Sequence, residues 1–575
     1  MSLSASPADR RPDNGGYVSN WDESFDLVIV GSGGGGLVAG LAAADAGLRP
    51  VILEKQGIVG GSTAMSGGII WLPNNPLMKA DGVEDSFEDG LAYLEAVVGD
   101  IGPASSLERR EMFLSAGSDM IQLLLDKGLR LVRCPGYSDY YPNHKGGNAD
   151  GRSLEGVPFD LRELGEWHDK LPPAFSSYYG LVFKTNEIRL LPYFNRAPAA
   201  FAVAARSWLR TKLARARHQE LVANGASLVG QLLKAVLANR IPLWLNATFD
   251  DLVVEEGAVT GVRIMRDGSP VFIQARKGVL LSAGGFSRSA EMRREYSGHQ
   301  PNEAQWSLSN PGDTGEVLSA AMRLGARVDL MDEAIWNPNP EPEFGLSSIA
   351  LARSRPGAIL VNQAGLRFCN EANDYIEVGR AMYANDAVPA WLIFDDGYRR
   401  RYRNTAKDYL PTKFPQEWLD RGLLKKADSL GSLAQAIGVD PGALTATVKR
   451  FNDKAALGLD PEFGRGQSAF NLCWGDPGYK PNGALGPLDR APFYATKIFP
   501  GDVGTCGGAV TNEYAQVLKE DFSPIPGLYA TGNTTATLMG RRYPGAGASI
   551  ANTTVFGYVA ARHAAGILTK KGSSR

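Results

Sequence analysis

The stretch FDLVIVGSGGGGLVAGLAAADAGLRPVILEK, residues 25–55, constrains the fold more than any other part of the chain. Residues 27–30 form an apolar, β-rich run, as expected for a strand buried on both faces of a parallel sheet. Gly31, Gly33 and Gly36 follow at G-x-G-x-x-G spacing, and the Ala/Leu-rich residues after them favour a helix. Residues 50–55 read as a second buried strand with Glu54 near its end. Glycines let the backbone turn tightly and approach a pyrophosphate, while the helix N-terminus offers free N–H groups and a positive dipole end. Glu54, about 20 residues beyond the glycines, suits the hydroxyls of a ribose. The glycine motif alone is weak evidence. Set between two strands, with an acid closing the second, it specifies a Rossmann-type dinucleotide cradle; the alternative is a glycine turn with no ligand.

Further segments suit a long cofactor. GGSTAMSGG, residues 60–68, brings small residues and hydroxyls. KGVLLSAGGF, residues 277–286, and IPGLYATGNTT, residues 525–535, each read as a strand running into a glycine turn. Contributions from such distant segments favour a tightly held FAD over an exchangeable NAD. The expected cofactor-binding residues are Gly31, Ser32, Gly33, Gly34, Gly35, Gly36, Glu54, Lys55, Gly61, Ser62, Thr63, Gly67, Ala283, Gly284, Gly532 and Asn533. No cysteine or histidine context predicts a covalent flavin link, so FAD is expected to be non-covalent.

The cradle, the AGG turn, the GLYATGN stretch and a late YPGAG segment, in this order, resemble the fumarate-reductase-type flavoproteins. Within them the chain is most similar to the 3-ketosteroid Δ1-dehydrogenases, over most of residues 25–565. The resemblance implies an α/β chain: a Rossmann-type FAD-binding domain with an inserted α+β substrate and catalytic domain. At 575 residues the chain is too long for one core. The FAD domain is expected at 22–332 and 489–570, the catalytic domain at 333–488, and disordered tails at 1–21 and 571–575.

Five histidines occur, none in a motif with another catalytic group, and no metal-ligand spacing is present. Tyrosines are left to move protons. Tyr140 lies in YSDYYPNHKGG, Tyr375 in NEANDYIEVGRAM and Tyr543 in GRRYPGAG. A lone tyrosine is usually core or rim packing. The resemblance implies instead that these segments meet at the substrate of a 1,2-dehydrogenation, where carbon 2 loses a proton and carbon 1 a hydride. Tyr543 O–H and the Gly547 N–H would polarise the 3-keto oxygen, with Gly547 bare so that a planar ketone fits. Tyr375 would take the proton, helped by Tyr140, which would shift its ionisation. A free phenol has a pKa of about 10, so either a lowered pKa or a relay is required.

Residues 163–220 depart from the family as a basic, aromatic insertion. From Ile188 to Gln219 there is no acid, while Arg189, Arg196, Arg206, Arg210, Lys212, Arg215 and Arg217 share one sign. If 199–217 is a helix, Ala205, Trp208, Leu209, Leu213 and Ala216 share a stripe. This is the pattern of an interfacial helix, with cations at lipid headgroups. The plainer alternative is a helix packed on the protein with a solvated basic face. The insertion is the one feature pointing to the branch that acts on sterols with a side chain, such as cholest-4-en-3-one.

Lys+Arg 60 against Asp+Glu 62 argues against nucleic acid as the partner. Cys134, Cys369, Cys473 and Cys506 lack CxxC spacing, which fits a reducing compartment. The N-terminus lacks an apolar signal core, and no run of about 18 apolar residues occurs. The expected location is cytoplasmic, peripheral on the inner membrane face if the insertion binds lipid. No electron acceptor is legible. Three rivals remain: a Δ4-(5α)-ketosteroid dehydrogenase, a fumarate-reductase-like enzyme, and a membrane-surface binding protein with an idle flavin fold.

Overall fold

A computed structural model describes residues 20–172, 180–344, 348–402 and 414–568. All of the expected N-terminal tail except Asn20 and Trp21 lies outside these ranges, as do 571–575 and part of the insertion, 173–179.

The apolar run at the start becomes strand β1 (Glu23–Val30), and the next becomes β2 (Pro50–Leu53). Strands β3 (Ser269–Leu281) and β4 (Pro524–Ala530) come from hundreds of residues away. They align in the order β4-β3-β1-β2, all parallel, with Leu243–Trp244 beyond β2 and an antiparallel Gln516–Leu518 beyond β4. Leu27, Val28 and Ile29 are fully buried, because helices cover the sheet. Helix α1 (Gly34–Asp45) packs closely on a late helix, Ala548–Ala564. A Cβ on Gly557 would stand 2.4 Å from the Gly35 carbonyl, so glycine lets the two backbones touch.

Between β3 and β4 lies a second, antiparallel sheet. Its strands run Asn339–Pro340, Phe493–Phe499, Ala390–Asp395 and Ala358–Val361, with Leu424–Ala427 also paired to Phe493–Phe499. Alternate residues feed two cores: Leu392 and Phe394 face one, Trp391 and Ile393 the other. Its central strand, Phe493–Phe499, lies past residue 488, in sequence expected to belong to the second part of the FAD domain.

The insertion contains helix α2 (Pro198–Ala216). Its inward face is Ala200, Ser207, Thr211 and Ala214. Arg210 reaches inward to pair with Glu187 at 2.6 Å and donates to the Val182 carbonyl at 2.6 Å. The apolar stripe therefore points outward, with Trp208, Leu209 and Leu213 exposed by 54%, 52% and 46%, and Phe201 by 63%. The helix thus packs on the protein through its small and hydroxyl residues, and both the stripe and Arg206, Lys212, Arg215 and Arg217 are solvent-facing. Among the described residues, no helix is long and apolar enough to cross a membrane.

Candidate active site

One cavity of about 880 Å³ runs from the glycine cradle to the tyrosines. At the cradle end, Gly31 turns at φ +108°, and a Cβ there would stand 2.2 Å from the Ser282 carbonyl. Gly33 caps α1 without a side chain, and no acid occupies the first turn. The uncapped helix start thus presents N–H groups and its positive end to the cavity, which suits a pyrophosphate. Gly31, Ser32, Gly33 and Gly34 line the wall. Gly35 and Gly36 do not; a Cβ on Gly36 would meet the Gly31 carbonyl at 2.0 Å. These two glycines permit close packing behind the cradle.

Glu54 lines the cavity with one oxygen accepting from the Ser32 amide and hydroxyl, at 3.1 and 2.5 Å. Lys55 stands at the rim beside Glu316. Gly61, Ser62, Thr63 and Gly67 continue the wall, and Thr63 accepts the Gly34 N–H at 3.1 Å. Ala283, Gly284, Gly532 and Asn533 face them from the ends of β3 and β4. This bare, donor-rich trough fits an extended dinucleotide.

Asp313 was not anticipated. It is buried in the cavity wall and accepts from the Ser62 hydroxyl at 2.9 Å; burial lifts its carboxyl to about 7. It sits in the polar loop SNPGDTGE, where nothing local distinguishes it from a turn residue.

At the other end Tyr140, Tyr375 and Tyr543 converge. Their ring centroids are 5.7 Å apart for Tyr140–Tyr375, 5.7 Å for Tyr140–Tyr543 and 5.4 Å for Tyr375–Tyr543. Tyr375 is the first residue of helix α3 (Tyr375–Ala384), which Asp374 caps by accepting the Ile376 and Glu377 amides. The Tyr140 amide and the Tyr93 hydroxyl both donate to the Pro544 carbonyl, at 3.0 and 2.7 Å, tying the YSDYY and YPGAG segments together. Gly545 packs under Trp71, where a Cβ would come within 2.2 Å of the ring.

Gly547 opens helix α4 (Ala548–Ala564) at φ +93°. A Cβ there would lie 2.1 Å from the Ile69 carbonyl, so the backbone itself demands glycine, quite apart from any ketone. The Tyr543 hydroxyl lies 2.8 Å from Ser549 Oγ and accepts the Ser549 N–H at 3.2 Å. Ser549, also unanticipated, lines the cavity with Phe470 and Trp474. The insertion contributes Phe183, Thr185 and Ile188 to the same wall.

Burial raises all three phenols. For Tyr375 the rise is large, and its neighbours Tyr140 and Tyr543 add to it. Tyr140 was expected to shift the ionisation of Tyr375, and in this arrangement the shift is upward, because the two buried phenols disfavour charge on one another.

A family model described as an FAD binding domain matches residues 26–550. A 3-oxosteroid 1-dehydrogenase of Mycobacterium tuberculosis is 40% identical, covering 94% of this chain and 98% of its own. A 4-oxocyclohex-2-ene-1-carboxylate 5-dehydrogenase of Sinomonas cyclohexanicum is 32% identical over 96% of this chain and 95% of its own. Among solved structures, the 3-ketosteroid delta1-dehydrogenase of Sterolibacterium denitrificans in complex with 1,4-androstadiene-3,17-dione superposes with a TM-score of 0.89. It is 35% identical and covers 95% of this chain and 100% of its own.

Proposed function

This chain belongs to the FAD-binding flavoprotein family that includes the 3-oxosteroid 1-dehydrogenases, and from that premise we propose that it oxidises 3-keto-4-ene steroids to 1,4-dienes. The observation that carries the reading is the meeting of Tyr140, Tyr375 and Tyr543 at the end of the cofactor cavity. FAD, when bound, supplies the acceptor for the hydride leaving carbon 1.

The chain's own residues do the rest. Tyr543 O–H and the Gly547 N–H hold the 3-keto oxygen and stabilise the enolate that develops on it. Among the described residues the Gly547 N–H has no acceptor, which leaves it available. Ser549 keeps the Tyr543 hydroxyl oriented through its N–H, so the phenol proton is directed at the ketone. Tyr375 receives the proton from carbon 2, and Tyr140 fixes its ring edge-on. The Tyr140 and Tyr543 side chains are only 6% and 4% exposed, so water is largely excluded and each hydrogen bond strengthens.

A second reading concerns the insertion. The outward stripe of α2, with Arg206, Lys212, Arg215 and Arg217 also exposed, suits docking on an anionic lipid surface. This would place the enzyme at the inner membrane face, near sparingly soluble sterols such as cholest-4-en-3-one.

The deciding experiment is anaerobic. Purified holoenzyme is mixed with androst-4-ene-3,17-dione while the visible flavin band is followed. Rapid bleaching with formation of the 1,4-diene is expected. An intact flavin band with every 3-keto-4-ene steroid tried would end the steroid reading.

A further inference from the structure

Four of the buried arginines are paired with carboxylates. Arg293 pairs with Asp502 at 2.6 Å, Arg152 with Asp85 and Asp139 at 2.6 and 2.9 Å, and Arg465 with Glu371 at 3.0 Å. Arg367 pairs with the same Glu371 and with Asp460.

Among the described residues Arg109, Arg110, Arg189 and Arg353 form no ion pair, and of these four Arg353 lines the cavity. It ends the short helix Ala350–Arg353, is 2% exposed and lines the cavity alongside Asn373 and Tyr375. Its Nη1 donates to two backbone carbonyls, those of Glu371 and Asn373, the latter at 2.6 Å. Its Nε is buried with no acceptor. Among the described residues, Nη2 has no acceptor either, and no carboxylate forms an ion pair with Arg353. Glu371 is paired with Arg367 and Arg465, and Asp374 caps α3; both attract Arg353 from a distance without pairing with it. Burial lowers the guanidinium pKa only to about 10, so it stays charged near neutrality.

A buried cation with no carboxylate bonded to it directly is costly, and an apolar ligand pressed against it would leave it so. A carboxylate would satisfy it through the guanidinium fork. The location limits the ligand's size. Asn373, whose carbonyl Arg353 holds, is two residues from Tyr375, a span of at most about 7 Å along the chain. An anion at Arg353 is therefore close to the residue proposed as base.

We propose that Arg353 is an anion-recognition point in this cavity, and that the enzyme also binds compact ring ketones carrying a carboxylate. The inference rests on the cavity being the ketone site of the reading above. The dehydrogenation keeps the same balance: the proton of the α-carbon goes to Tyr375, the hydride of the adjacent carbon to FAD, and the carboxylate takes no part in bond changes.

The test uses anaerobic holoenzyme and 4-oxocyclohexane-1-carboxylate, with its methyl ester as the neutral match. Dissociation constants are read from perturbation of the flavin spectrum. The acid is expected to bind at least about tenfold more tightly than the ester. That preference should fall to near unity in Arg353→Met and persist, reduced, in Arg353→Lys. Equal binding of acid and ester by the wild type overturns the inference, even if neither variant holds flavin. Full preference retained in a flavin-bound Arg353→Met also overturns it. Androst-4-ene-3,17-dione is run in parallel. Bleaching by the steroid without preference for the acid removes this inference alone, whereas no bleaching removes the steroid reading and leaves the acid-to-ester ratio to be judged by itself.

Discussion

The Tyr543 hydroxyl accepts the Ser549 N–H at 3.2 Å, so the first turn of α4 holds the phenol that faces the cavity. One lone pair of that hydroxyl is used by the helix, and its oxygen lies 2.8 Å from Ser549 Oγ, a hydrogen bond that can be exchanged for one to a ketone. Tyr543→Phe removes the donor and keeps the ring. The rate of flavin reduction by a 3-keto-4-ene steroid should fall by about 10²–10³, as for loss of one oxyanion donor. Stopped-flow absorbance checks this. A loss below about fivefold would take Tyr543 out of the clamp.

Tyr375 carries a pH signature. Burial holds its phenol well above the ordinary value of 10.0, and Tyr140 and Tyr543 push the same way. A base works deprotonated, so below that pKa the working fraction grows about tenfold per pH unit. Flavin reduction should therefore rise from pH 7 toward pH 10. Tyr375→Phe should lower the rate by about 10²–10⁴ and flatten the profile. The rise has a ceiling. A folded-state pKa above the unfolded value means stability is intact below pH 10 and is lost as pH climbs beyond it. Thermal melts across the same pH range should show that loss. A pH-independent reduction rate in the wild type would remove Tyr375 as the base.

Gly547→Ala tests a backbone requirement. The added Cβ would stand 2.1 Å from the Ile69 carbonyl, at a φ of +93° that alanine resists. The expected cost is at least about 2 kcal/mol in stability, together with loss of steroid binding, because α4 can no longer start where it does. A melt unchanged from wild type would show that the helix start tolerates a shift.

What could be read in advance divides along physical lines. Strands β1 and β2, with the glycine turn between them, were legible because propensity, spacing and burial all agree there. Tyr140, Tyr375 and Tyr543 were legible only through the resemblance; each alone reads as packing. Ser549 was hidden because a serine just inside a helix reads as part of its start, and Asp313 because its loop is polar throughout. Gly547 was singled out, but for ligand access, when its nearest constraint is the Ile69 carbonyl. The direction in which Tyr140 shifts its neighbour was not legible, because it is settled by tertiary geometry. Helix α2 shows the same limit. Its period defines a stripe, but only the pairing of Arg210 with Glu187 determines that Ser207 and Thr211 turn inward.

That inversion leads to the last prediction. An outward Trp208, Leu209 and Leu213, flanked by Lys212 and Arg215, exposes apolar surface that a water-facing helix has no reason to keep. Lipid would cover it, and anionic headgroups would answer the cations. Trp208→Glu combined with Leu213→Glu replaces apolar contact with charge of the wrong sign for such a surface. Neither side chain lines the cavity, and both are about half exposed, so each should change folding stability by no more than about 0.5 kcal/mol. Wild-type enzyme should co-sediment with vesicles of anionic phospholipid, and added salt should weaken this without abolishing it, because the apolar part is not screened. The double variant should stay in the supernatant. Sedimentation that is equal for both proteins, or absent for the wild type, would mean that the stripe meets something other than lipid.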